Sequence, residues 1–143
     1  MNNKINYGKA VYSVAMIDLD TFLEYVLSID EELKDANFVL GYVLSKNDYV
    51  ETEYLFKEHA FNKFAKVKCA LDKIEKEILK YQSKLNAFFE CNEEEKNKFY
   101  EKLDILIPLH EEKSKFVKEQ LHKCFEIIKS NQYCENIEST LNA

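Results

Sequence analysis

The stretch that decides the fold is residues 60–88, AFNKFAKVKCALDKIEKEILKYQSKLNAF. Ala60, Phe64, Val67, Leu71, Ile74, Ile78, Tyr81, Leu85 and Phe88 recur at spacings of four and three, and all nine stripe positions are apolar. A strand would alternate every second residue. A seam of period 3.5 held over about four heptads instead marks a helix packed at a shallow angle against another helix.

Upstream, Asn47 and Asp48, with Glu51 three residues after Asp48, form a capping signature. This places one helix over about 48–89, roughly 60 Å long at 1.5 Å per residue. Downstream, Asn92 followed by Glu95 repeats the signature, and Glu93, Glu94 and Glu95 suit the positive end of a new helix. Its stripe is Phe99, Leu103, Leu106, His110, Val117, Leu121, Cys124 and Ile128, with Lys113 as the polar member. Pro108 lies inside the stripe and predicts a kink or short break over 104–108. This second helix is expected over about 93–130, leaving 132–143 as a polar tail.

Two such helices joined by a tight reversal make an antiparallel hairpin. If it turns near residue 91, facing residues carry numbers that sum to about 182, which places His110 opposite Leu71 and Asp72. The first 47 residues are expected to supply shorter helices that cover the seam. Asp20 can cap one through Phe22, Val26, Ile29 and Leu33, and Ala36, Val39, Leu40, Val43 and Leu44 supply another apolar face. Val11–Ile17 is rich in β-branched residues, but a lone strand has nothing to pair with, so helix is favoured. The expected architecture is all-α: one helical domain over 1–143, with an N-terminal segment (1–47), a hairpin (48–131) and a tail.

Composition narrows the function. There are 20 lysines and no arginine, so no guanidinium fork is available for bidentate phosphate recognition. The net charge of −6, no clustered basic face and a pI near 5.2 argue against nucleic acid as the main partner. No signal-like apolar region follows the start and no apolar run is long enough to span a bilayer, so a cytoplasmic protein is expected. Cys69, Cys91, Cys124 and Cys134 stand at wide, unpatterned spacings that fit free thiols in a reducing compartment.

Each chemical constellation has a plainer reading. By the hairpin rule His59 comes near His122 and Cys124, but His122 and Cys124 are two apart on a helix and point away from each other. Glu119 and His122 make one half of a bundle di-iron motif, without the second copy that such sites need. His110 reads as a core histidine satisfied by one hydrogen bond. Ala15-Met16-Ile17-Asp18-Leu19-Asp20-Thr21-Phe22 resembles the strand end by which palm-type polymerases and diguanylate cyclases hold two metal ions. That resemblance covers eight residues without a glycine-rich turn or second acidic motif, and Asp18 and Asp20 are read as the start of a helix. No metal and no cofactor are expected.

What remains is surface. Phe88, Phe89, Phe99 and Tyr100 gather at the hairpin tip, where Phe88 and Phe99 continue the seams while Phe89 and Tyr100 are turned by about 100° toward the flank. Phe89 and Tyr100 are therefore the expected partner-binding residues. Phe38, Tyr42, Tyr49, Tyr54 and Phe56 are expected to pack between the short helices and the hairpin's open end. The leading functional expectation is a non-enzymatic interaction module: a helical adaptor, chaperone-like binder or inhibitor of a protein partner, with a phage or mobile-element origin agreeing with the lysine- and asparagine-rich composition. The alternative is a metal-dependent or nucleotide-handling enzyme using Asp18 and Asp20 or the His59/His122 region. Self-association is a third expectation, because the seam exceeds what 47 residues readily cover.

Overall fold

A computed structural model describes residues 2–46, 49–87 and 92–142, with side chains described over 9–45, 52–85 and 92–131. The chain is all-α. Helix α1 runs Asn2–Glu32, α2 Lys34–Lys46 and α3 Tyr49–Phe56, followed by a π-helical turn at Lys57–Phe61, α4 at Asn62–Ala87 and α5 at Glu93–Asn142. No strand occurs among the described residues. No helix among them is long and apolar enough to cross a membrane.

Physical causes are visible at the breaks. The only interruption between α1 and α2 is the buried turn residue Leu33. Asp30, Glu31 and Glu32 crowd the negative end of α1, whereas Asp35 lies in the first turn of α2, where negative charge is favourable. Glu32 is compensated by Lys63 at 3.3 Å. At the start of α5 the Asn92 Oδ1 accepts from the Glu95 N–H at 2.8 Å, so the predicted cap forms.

The chain divides into two compact units, residues 1–29 with 69–114 and residues 30–68 with 115–143. In the first, α1 contributes Ala15, Leu19, Val26 and Ile29 to the core, α4 contributes Leu71, Ile74, Ile78, Tyr81 and Leu85, and α5 contributes Phe99, Leu103 and Leu106. His110 Nε2 donates to the Leu71 carbonyl at 2.7 Å. That pair meets the antiparallel rule and satisfies the buried histidine. In the second unit the core is Leu33, Ala36, Leu40, Val43, Thr52, Phe56, Ala60, Phe64, Val67, Val117, Leu121 and Cys124. Every described position of both predicted seams is buried, except half-buried Lys113 and Ile128.

Four expectations are corrected. The short break over 104–108 is absent, because α5 continues through Pro108. Pro108 and Asp104 both face solvent, so the carbonyl that loses its helical donor can be hydrated. The tail is helical as far as Asn142: no glycine or proline follows Pro108, so fading of the apolar stripe near Ser130 does not end the helix. Asp20 caps nothing, since α1 is already helical from Asn2. The N-terminal helices are also not uniformly short, α1 spanning 31 residues against 26 for α4.

Candidate partner surface

The π turn lies between two groups of aromatic residues that reach the surface. Thr52, Phe56, Ala60 and Phe64 are all buried, at three successive spacings of four. An α-helix turns about 40° past its own face at each such step, so an unbroken one would carry this stripe about 120° off the core. The wider turn at Lys57–Phe61 absorbs the excess, with the Asn62 N–H reaching back five residues to the Lys57 carbonyl. Beyond Phe64 the spacing returns to alternating three and four, and the helix returns to α geometry.

Two aromatic groupings flank this turn. Phe56, which is fully buried, stacks with half-buried Phe61 at 6.4 Å between centroids, and Phe61 meets Phe125 of α5 edge-to-face at 5.6 Å. The run ends at the surface, since Phe125 is 54% exposed. On the other side Tyr54, 72% exposed, stands edge-to-face with exposed His59 at 6.3 Å. Leu55 is exposed beside it. Such pairs add about 0.5–1.5 kcal/mol each beyond area burial, which helps hold the exposed rings in place.

The earlier site residues fall as follows. Tyr100 is 44% exposed and packs edge-to-face on buried Phe99, the flank position expected for it. Phe89, with Phe88 and Cys91, lies outside the described residues, as do the side chains of Tyr49 and Cys134. The expected packing role of the N-terminal aromatics holds for Phe56 but not for Phe38, Tyr42 or Tyr54, all exposed. The apolar face of α2 is supplied by Ala36, Leu40 and Val43, and Phe38 and Tyr42 lie on its other side. Tyr54 adjoins the π turn, whose signature, the fourfold spacing from Thr52 to Phe64, was legible in the sequence but not drawn from it.

Asp18 and Asp20 do not converge. Two residues apart on one helix, they serve different neighbours: Asp18 accepts from the Tyr81 hydroxyl of α4, and Asp20 pairs with Lys102 of α5. Burial, reinforced by the Asp18 hydrogen bond, pushes the Tyr81 phenol up to about 12. His59 and His122 are both exposed, and no group of three or more His, Cys, Asp or Glu among the described residues is placed to hold a metal. Cys69 and Cys124 are free thiols, the first exposed and the second buried. Burial raises the Cys124 thiol to about 11, the signature of a packing residue rather than a nucleophile.

A cleft of about 240 Å³ in the first unit is lined by Ala10, Val11 and Val14 of α1 and Lys80, Tyr81 and Lys84 of α4. It lies below the usual size of small-molecule sites, about 300–1,000 Å³, and its one phenol is already engaged by Asp18. The chain matches no family model, no curated protein and no solved structure.

Proposed function

We propose that this chain is a non-enzymatic protein-binding module, whose contact surface is the aromatic array around the π turn. The observation that carries the reading is the graded run from buried Phe56 through Phe61 to exposed Phe125, with exposed Tyr54 on the other side of the turn. A ring already held edge-on against a neighbouring ring loses less entropy when a partner covers it, which suits such exposed aromatics to binding. Interruption of a long helix by a π turn, a feature frequent at functional sites, supports the same choice. Tyr100, anchored on Phe99 in the other unit, is a second contact point of the same kind.

The test is cross-linking capture in the source cell with the full chain as bait. Replacing Tyr54 and Phe125 together by Ser is expected to leave helicity intact and to abolish capture of a partner that the wild type retains. Capture unchanged in that double variant, or a discrete turnover activity in the purified chain, overturns the reading.

A further inference from the structure

We propose that the cleft between α1 and α4 in the first unit binds a medium-chain aliphatic carboxylate, its alkyl chain on Ala10, Val11 and Val14 and its carboxylate between Lys80 and Lys84. The two walls differ in chemistry. On α1, Ala10 and Val14 are four apart and Val11 lies between them, so the three share one side of the helix, and Val14 is 51% exposed. On α4, Lys80 and Lys84 are likewise four apart and leave the same face, with their Cβ atoms about 5–6 Å from each other. Tyr81 joins the walls, but its hydroxyl is given to Asp18. The two ammonium groups are therefore the uncommitted polar groups of the lining.

Charge names the head group of the ligand. The segments that meet at the cleft, 9–17 of α1 and 78–85 of α4, hold Lys9, Lys80 and Lys84 and no Asp or Glu, although the whole chain carries −6. The first carboxylates beyond these segments, Asp18 and Glu77, both stand near the Tyr81 phenol and leave the lysines unneutralised. Among the described residues neither Lys80 nor Lys84 enters an ion pair. Like charges four apart on a helix repel, and an anion held between them relieves that repulsion.

Size and lining name the tail. At about 240 Å³ the cleft is too small for a cofactor-sized ligand, whose sites begin at about 300 Å³, but it accommodates an unbranched chain. Ala10, Val11 and Val14 offer no hydrogen-bonding side chain, so the part of the ligand that lies on them gains by being apolar. One charged end and one alkyl end match the two walls.

The experiment is calorimetric titration of the full chain with sodium octanoate, sodium butanoate and octylammonium chloride. Octanoate is expected to bind one-to-one. Butanoate should bind at least about tenfold more weakly, a factor that two fully buried methylenes supply. Octylammonium, with the same tail and the opposite charge, should not bind. The double variant Lys80→Gln, Lys84→Gln is expected to keep its helicity and melting temperature and to lose at least about tenfold in octanoate affinity, and Val14→Asp, at an exposed position, to lose binding as well. The Tyr54→Ser, Phe125→Ser double variant binds octanoate like wild type, which separates this site from the proposed partner surface. Absence of saturable octanoate binding, octylammonium binding as tight as octanoate, or affinity unchanged in both cleft variants overturns the inference. Binding to phosphatidylglycerol vesicles without binding of octanoate does the same, since the lysines would then serve a membrane surface.

Discussion

Deleting Glu58 from the π turn discriminates between a register-correcting turn and a mere irregularity. With that residue removed, Thr52, Phe56, Ala60 and Phe64 follow at spacings of four, three and four, the rhythm of the rest of the seam, and an ordinary α-helix holds all four toward the core. Glu58 is exposed, so its loss removes no core contact. The variant is expected to stay within about 1 kcal/mol of wild type, the scale of one net backbone hydrogen bond. Had the turn no such role, the deletion would rotate everything before it by about 100° and carry fully buried Phe56 off the core, a loss of about 3–5 kcal/mol. Deleting exposed Lys76 from the regular part of α4 imposes that rotation deliberately and serves as the control. Urea denaturation followed by far-UV circular dichroism and by tyrosine fluorescence measures both variants. A deletion of Glu58 as damaging as that of Lys76 would refute the reasoning.

Alkaline titration tests the burial of the Tyr81 phenol together with its bond to Asp18. The phenol titrates near 10 when unfolded and near 12 when folded, so the native state holds one more proton between those values. The resulting stability is fully present below pH 10, is lost as pH rises toward 12, and is on the order of 2 kcal/mol. Tyr81→Phe should flatten that part of the stability profile, and a profile identical to wild type would contradict the assignment. Thiol kinetics separate the cysteines in a variant with Cys91 and Cys134 replaced by Ser. Cys69 should react at once with a maleimide and Cys124 only on the timescale of unfolding, and equal rates would place Cys124 at the surface.

Much of the fold is written in local pattern, because a helix repeats its physical environment every three to four residues. The stripe from Ala60 to Leu85 and its partner from Phe99 to Cys124 announce two helices and the faces they bury, and the number rule that follows sets His110 opposite Leu71. The cap at Asn92 is equally local. Tertiary structure decides what local pattern leaves open. Whether Asp20 begins a helix or lies within one is not fixed by its own residue type: α1 runs through it from Asn2, and its carboxylate pairs with Lys102, 82 positions away, instead of capping. Whether Pro108 breaks α5 depended on which side of that helix meets water. The end of α5 was misplaced for a related reason: amphipathicity reports where a helix is covered, and α5 runs on past its last stripe residue to Asn142 with no glycine or proline to interrupt it. The candidate surface shows the same division. The fourfold spacing from Thr52 to Phe64 calls for an extra residue in one turn, a demand present in the sequence, but which rings then surface is settled by the neighbours that Phe61 and Phe56 find. Exposure is a property of what lies opposite a residue, and only the assembled helices determine that for Tyr54, Phe125 and Val14.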